Sequence, residues 1–438
     1  MENLYQKYLE CGQNIATDTR KITKNCLFIA LKGDNFDGNN FVAQAFAAGA
    51  SYCVIDNPSA AINEQCILVE NGLKTLQNLA HYHRKKIDVP VIGITGSNGK
   101  TTTKELVQRV LAKKFRVHFT QGNLNNHIGV PLTLLSAPLD AEMLVVEMGA
   151  NHQGEIRDLC AIAAPTHGLI TSIGKAHLEG FGGIEGVKKG KSELFEYLAA
   201  HEGTVFININ EPVIEALAKE RGVKNGILFG NNEKNTHRKV ACQGTLLQAE
   251  PFIIMRFCND PAHYLFVIAT AKTNLFGQYN FGNLMSAAAI GSHFGVSISS
   301  IKEALESYIP DNNRAQIIKE KTNTYILDAY NANPTSMQAG LEQFSTMKAD
   351  NRIAIIGEMR ELGEYSVEEH EKIAVFAKKI AAFSQIILIG ESFRAFSHLA
   401  TAFFATAAEA KKYIKEQSFI HSHLYIKGSR GIQLETIL

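Results

Sequence analysis

The run V-P-V-I-G-I-T-G-S-N-G-K-T-T-T over residues 89–103 constrains this chain more than any other stretch. Its apolar half is too short for an amphipathic helix and ends in Gly, Ser and Asn, which reads as a buried parallel strand entering a loop. A helix beginning near Thr101 then follows. Small residues at such a junction let backbone N–H groups approach phosphate oxygens, and the helix N-terminus adds positive dipole. Lys100 can reach terminal phosphates, and the Thr101 hydroxyl suits Mg²⁺. Thr95, Gly96, Ser97, Asn98, Gly99, Lys100, Thr101 and Thr102 are therefore the candidate cradle for a nucleoside triphosphate. The usual G-x-x-x-x-G-K-[ST] spacing asks for glycine at position 94, where this chain has Ile94, so the loop is a shorter T-G-S-N-G-K-T variant. A Gly-rich turn before a capped helix uses the same small residues; the preceding strand and the Gly-Lys-Thr order favour phosphate.

That cradle must bind its anion by local chemistry, because 44 Lys and Arg against 43 Asp and Glu leave a net charge of +1. Such a balance gives no global pull toward nucleic acid or an anionic membrane. At 438 residues the chain holds two to four domains and is too long for a single small binding module. The start, MENLYQKYLECGQN, has neither a basic segment nor an apolar core, and no apolar run approaches the roughly 18 residues of a membrane span. A cytoplasmic, monomeric protein without membrane insertion is expected. The odd, scattered set of Cys11, Cys26, Cys53, Cys66, Cys160, Cys242 and Cys258 suits buried thiols in a reducing compartment rather than zinc or disulfides.

The expected fold class is α/β in three domains: a small N-terminal α/β domain over 1–87, a central phosphate-loop parallel-sheet domain over 88–308, and a C-terminal Rossmann-like α/β domain over 309–438. The first shows short β-rich runs, CLFIAL, YCVID and CILVE, and ends in the charged stretch HYHRKKID at 81–88. In the second, RVHFT, MLVVEMGA, HGLITSIG and TVFININ recur at doubly wound spacing, and FIIMRF and HYLFVIAT between 237 and 275 suggest antiparallel strands at an edge. The βα rhythm restarts at TYILDAY, RIAIIGEM, QIILIG and HLYIKGS. The pairs His81/His83 and His421/His423 invite a metal reading, which is rejected because i and i+2 residues share a face only on a strand and no third ligand is evident.

The variant loop, taken with E-M-G-A-N-H-Q-G-E-I at 147–156 and Y-N-A-N-P-T-S-M at 330–337, resembles the Mur ligase family. N-x-N-N-x-I-G-V-P at 123–131, G-K-A-H-L-E-G-F-G at 174–182, G-E-M-R-E-L-G at 357–363 and K-G-S-R-G at 427–431 bring it nearest to members that add a D-alanyl-D-alanine dipeptide. The resemblance implies a uridine-nucleotide domain, an ATPase domain and a closing domain. It also implies a reaction in which ATP phosphorylates the carboxyl group of a UDP-muramoyl tripeptide and an amine displaces the phosphate. Neighbouring alternatives are a sister ligase adding the diamino acid and folylpolyglutamate synthase; outside ligases stands a nucleotide-dependent switch.

Residue by residue, Glu147 ends an apolar strand where a carboxylate can hold Mg²⁺ beside phosphates. By resemblance His177 belongs to a second metal site and Lys191 becomes carbamoylated as an anionic ligand; alone, they read as a loop histidine and a solvated helix lysine. Two Mg²⁺ ions, held through Thr101, Glu147, His177 and Lys191, are thus implied, and Lys100, Glu147, His177 and Lys191 form the catalytic set. Asn280 and Asn283 either bond an adenine edge or cap a helix. Arg314 would reach back to the γ-phosphate on closure, and the resemblance implies that Asp328 contacts the ribose, with Tyr330, Asn331 and Asn333 nearby. Asn333 followed by Pro334 is equally a good helix start. Thr19, Arg20, Asp37 and Gly38 match uridine-binding signatures, while Asn123, Asn125 and Asn126 would line the path of the nucleotide sugar or pyrophosphate. Lys427, Ser429 and Arg430 either bind peptide carboxylates or form a surface basic cluster.

Overall fold

The structure is a computed structural model and describes residues 1–231, 240–259, 267–311 and 313–438. Among them the chain builds three successive α/β sheets. The first has four parallel strands, with Cys26–Ile29 and Ala50–Ile55 at its centre, and carries a short hairpin of Lys32–Gly33 with Phe36–Asp37. The second has nine strands. Its parallel part centres on Val91–Thr95, flanked by Met143–Glu147 and His167–Ile170. Cys242–Gln248, Ile254–Asn259 and Ile268–Lys272 extend it as an antiparallel edge; residues 263–266 of the HYLFVIAT run lie outside the described residues. The third sheet has six strands, parallel except where Gln316–Glu320 pairs with Asn323–Asp328.

The central sheet positions the site. After Val91–Thr95 the chain goes to the far edge at Val117–Phe119, returns to Met143–Glu147 beside the first strand, then crosses to His167–Ile170 on its other side. The winding reverses at Val91–Thr95, and the carboxyl ends of these strands open the crevice in which α/β proteins bind ligands. Val91–Thr95 and Met143–Glu147 are buried on both faces, as their apolar sequences require. Among the described residues no helix is long and apolar enough to cross a membrane.

One stretch departs from expectation. HYHRKKID is not a charged lead-in, because residues 81–86 are the last turns of the helix Gly72–Lys86. On a helix His81 and His83 point apart: His81 Nδ1 meets Ile162 O at 3.1 Å. His83 is fully buried, with Nε2 at 2.9 Å from Ala137 O and Nδ1 at 3.0 Å from the Tyr5 hydroxyl. A carbonyl only accepts, so Nε2 carries the proton and Tyr5 donates to Nδ1. Arg84, also buried, donates to the carbonyls of Ala163, Ile87, Val89 and Ala164. Arg84 and the two imidazoles thus tie this helix to carbonyls of Ala137, Ile162 and Ala163 in the second domain.

Histidines partly or wholly withdrawn from water make the fold acid-sensitive. Burial pushes His83, His118, His293 and His370 below the usual imidazole value, and His167, packed beside His293 and Phe294, falls to about 4. The unfolded chain takes up protons near 6.5, so stability is full above that pH and is lost as pH falls from about 6.5 toward the folded value. Thermal melts from pH 7 to 5 should show a falling Tm, and His167→Phe should flatten that fall; an unchanged slope would show that His167 contributes nothing to it.

A phosphate-loop site at the seam of two domains

The loop is braced from below by the neighbouring strand end. Thr95 donates to Met148 O at 2.7 Å, Ser97 N to Ser172 O at 2.9 Å, Asn98 N to Ser172 Oγ at 3.0 Å, and Thr171 Oγ1 to Asn98 O at 2.5 Å. Gly96 and Gly99 adopt φ of +143° and +81°. A Cβ on Gly96 would lie 2.1 Å from Thr171 Oγ1, and one on Gly99 2.4 Å from Asn283 Oδ1, so the turn admits only glycine there. The helix Lys100–Leu111 starts at this turn, and its first residues, Lys100, Thr101 and Thr102, line the cavity. Lys100 Nζ crosses the loop to Gly96 O at 2.7 Å. Burial lowers its pKa, an effect that Glu147 opposes.

Glu147 is nearly inaccessible, with 1% exposure. Its Oε1 accepts from Thr101 Oγ1 at 3.2 Å and Asn125 Nδ2 at 2.8 Å. Its Oε2 is buried without a hydrogen-bond donor, although Lys104 Nζ stands 3.7 Å away. An orphaned carboxylate oxygen next to a loop hydroxyl fits a hard divalent cation whose remaining ligands are phosphate oxygens and water. Among the described residues no three His, Cys, Asp or Glu side chains converge on one point, so protein groups alone do not make a closed metal cage.

Lys191 reverses its single-residue reading. The helix Ile184–Ala200 presents it to the core, fully buried, with Nζ donating to Ala150 O at 2.9 Å and lying 4.9 Å from the Phe181 ring centre. Burial and the nearby charge of Lys100 push its pKa well below the lysine range. Lys191 itself does not line the cavity, whereas Ala150 does. His177, at φ +52°, places Nδ1 2.6 Å from Glu361 Oε2 of the third domain. That contact holds the Glu361 carboxyl below its ordinary pKa.

The third domain lies across the loop. Asn333 caps the helix Pro334–Thr346 in a reciprocal box with Ser336, and its Nδ2 donates to Asn98 Oδ1 at 2.7 Å. Lys175 donates through its backbone to Thr335 Oγ1 at 3.0 Å and through Nζ to Glu369 Oε1 at 2.5 Å. Arg314 and Arg430 both stack on Tyr330, with guanidinium carbons 3.7 and 5.3 Å from the ring centre. Arg314 Nε is buried without a partner. Lys427 is not a spare cation, since its buried Nζ pairs with Asp328 Oδ2 at 2.7 Å and also reaches Asn331 O at 3.2 Å. It fixes Asp328, which also accepts from Ala315 N and Tyr425. Ser429 Oγ, likewise buried, accepts from Arg360 N at 2.9 Å.

These walls enclose a cavity of about 1350 Å³. It brings together Ser97 to Thr102, Asn123, Asn125, Asn126, Glu147, His177, Asn280, Asn283, Arg314, Asp328, Tyr330, Asn331, Asn333, Lys427, Ser429 and Arg430, and extends to Lys74, Gln77 and His81 of the first domain. Asn280 and Asn283 do not cap their helix by side chain; Asn283 bonds Asn280 and Thr103 instead. Asn126 accepts from Ile128 N and Gly129 N at a helix start. Thr19, Arg20, Asp37 and Gly38 are not on this wall: Asp18 pairs with Arg20, whose side chain is 85% exposed, and Asp37 accepts from Asn39. Lys104 and Glu361 were missed by sequence reading. Lys104 sits one helical turn beyond Lys100, a same-face spacing that could have marked it. Glu361 carries no local signal, because only domain packing brings it to His177.

A glycine-turned loop at a strand end, an acid at the neighbouring strand and a cation-bearing second domain over both define a phosphate-loop nucleotide-dependent enzyme. Three family models match the chain: "Mur ligase family, catalytic domain" over 13–84, "Mur ligase middle domain" over 94–291 and "Mur ligase, glutamate ligase domain" over 313–423. The UDP-N-acetylmuramoyl-tripeptide–D-alanyl-D-alanine ligase of Bacillus subtilis (strain 168) is 32% identical over 97% of this chain and 92% of its own length. A crystal structure of MurF from Acinetobacter baumannii superposes with TM-score 0.84 at 29% identity, covering 99% of this chain and 97% of that one. MurF ligase from Thermotoga maritima in complex with ADP gives TM-score 0.84 at 24% identity over 98% and 96%. The chain belongs to the Mur ligase family.

Proposed function

We propose that this chain is an ATP-dependent, ADP-forming ligase that joins D-alanyl-D-alanine to UDP-N-acetylmuramoyl-tripeptide in peptidoglycan precursor synthesis. The carrying observation is the seam itself, where Asn333 of the third domain bonds Asn98 of the phosphate loop, so one cavity holds a triphosphate cradle and a second wall for the acceptors. Its extension to the helix Gly72–Lys86 suits a long substrate whose uridine end rests on the first domain near Thr19, Arg20, Asp37 and Gly38. Both walls come from one chain, which fits a monomer, and all seven cysteines are free, which suits the cytoplasm.

The chemistry follows from charge. A tripeptide carboxylate oxygen attacks the γ-phosphorus, the bond to the β–γ bridging oxygen breaks, and ADP leaves. The amine then attacks the acyl carbon, the carbon–oxygen bond to phosphate breaks, and an amide, inorganic phosphate and a proton result. Negative charge gathers on the transferring group, so fixed cations and loop N–H groups carry most of the work. Lys100 lies beside the terminal phosphates and Arg314 closes from the third domain. Thr101 and Glu147 would hold Mg²⁺, with His177 and a carbamoylated Lys191 at a second ion; such ions neutralise phosphate charge. Asn280 and Asn283 border the base end and Asp328 the ribose.

Phosphate release measured with MgATP and the UDP-tripeptide, adding D-alanyl-D-alanine, D-alanine, a diamino acid or no amine, tests this. Release only with the dipeptide, with matching mass gain on the nucleotide product, is expected. A diamino acid preference would assign a sister activity, and release indifferent to amine would make the protein a nucleotide switch.

A further inference from the structure

The acceptor in the proposed reaction is a zwitterion: its ammonium end must come to the phosphorylated carbon, and its carboxylate must be held away from it. Such a ligand calls for an anionic and a cationic side chain within about 7 Å, the span of an extended dipeptide. Most charges around the loop are already committed. Glu147 is held by Thr101 and Asn125, Asp328 by Lys427 and Tyr425, and Glu155 by the backbone N–H groups of Asn151 and His152. Among the cations Lys427 is paired, while Arg314 and Arg430 lie on Tyr330.

Two consecutive residues on the third-domain wall of the cavity, Arg360 and Glu361, each have a partner on one side yet keep about half of the side chain open. Glu361 keeps half of its side chain exposed, at 50%, and meets His177 on the phosphate side. Its backbone is left-handed at φ +63°, uncommon for glutamate, and its carbonyl accepts from Glu179 N at 3.4 Å. Arg360 keeps 55% of its side chain exposed; its nearest carboxylate, Glu358, is 3.6 Å away and is itself engaged by Ser392. The Arg360 backbone is pinned by Ser429, and its guanidinium lies against Gly431, where a Cβ would stand 2.2 Å from Nη1. Only the missing side chain at 431 lets the guanidinium take that position.

We propose that Arg360 and Glu361 are the receptor for the two ends of the incoming dipeptide, the guanidinium taking its carboxylate and the glutamate its ammonium group. The planar fork of arginine matches a carboxylate bidentately, and a carboxylate is the natural partner of an ammonium ion. Glu361 touches His177 and feels the charge of Lys100, whereas Arg360 lies by Glu358 and Gly431, so the amine goes toward the phosphate loop and the carboxylate away from it. This assignment rests on the ligase reading.

Steady-state kinetics with D-alanyl-D-alanine and with its C-terminal amide test it. In the parent enzyme removal of the carboxylate should raise KM about tenfold to a hundredfold, the range for a charge-assisted pair. Arg360→Ala should raise KM for the dipeptide by a like factor, leave KM for ATP and for the UDP-tripeptide unchanged, and lose discrimination between dipeptide and amide. Gly431→Ala should do the same more weakly, because it displaces only the far end of a flexible side chain. Glu361→Gln should raise the dipeptide KM while keeping the penalty for the amide. Full retention of that penalty in Arg360→Ala overturns the carboxylate assignment, and a Glu361→Gln enzyme that loses kcat with unchanged dipeptide KM overturns the ammonium assignment. A parent enzyme that joins neither amine overturns the ligase reading itself.

Discussion

Lys100→Ala is expected to abolish amide formation, with kcat lowered by about a thousandfold or more, while the fold survives. Lys100 Nζ hydrogen-bonds to carbonyls of its own loop, Gly96 at 2.7 Å and Ser97 at 3.4 Å, and its residue lines the cavity. Burial already disfavours its charge, so removing the ammonium relieves a desolvation cost, and Tm should stay within about 2 °C of the parent. What is lost is a cation that starts within the loop itself and meets charge building on the transferred group. Stopped assays of amide product with melting curves check this; turnover near the parental rate would remove Lys100 from the phosphate site.

Lys191→Met is expected to separate activity from stability. A fully buried amine with one carbonyl partner is costly to keep, so a methionine of similar volume should leave Tm equal to or above that of the parent. Turnover should nevertheless fall about a hundredfold. The same burial supplies the reason, since a lysine held well below its ordinary pKa yields the unprotonated amine more readily. Such an amine adds carbon dioxide, releasing a proton and leaving a carbamate that is anionic and oxygen-bearing. Lys191→Ala, which opens space at the same point, should regain part of its activity with added short carboxylates. Parental turnover in either variant would show the carbamate to be wrong.

Legibility of the site followed how locally each feature is encoded. The phosphate loop was readable because strand, glycines, lysine and threonine lie in one continuous run, and Glu147 because it ends an apolar strand. Three-domain α/β architecture was readable from recurring apolar runs, whose buried strands now form the three main sheets. His83 and Arg84 were legible only as part of a charged stretch, because their partners, Tyr5, Ala137 and Ala163, arrive from other elements. Lys191 misled for the same reason: only the fold shows which face of the helix Ile184–Ala200 meets Phe181 and Ala150. Lys427 looked like a substrate cation, yet the neighbouring strand sets Asp328 beside it, the two being register partners 99 residues apart. Glu361 and the Asn98–Asn333 bond depend on the closed placement of the third domain, which no periodicity encodes.

The central claim is that a carboxylate becomes an acyl phosphate in the cavity between the phosphate loop and the third domain. It is tested most directly with UDP-tripeptide labelled with oxygen-18 in the acceptor carboxyl group, incubated with MgATP and D-alanyl-D-alanine. One labelled oxygen should appear in each inorganic phosphate released, because the bridging oxygen leaves with phosphate when the amine attacks. Unlabelled phosphate alongside amide product would contradict an acyl phosphate, and unlabelled phosphate without amide would contradict ligation altogether.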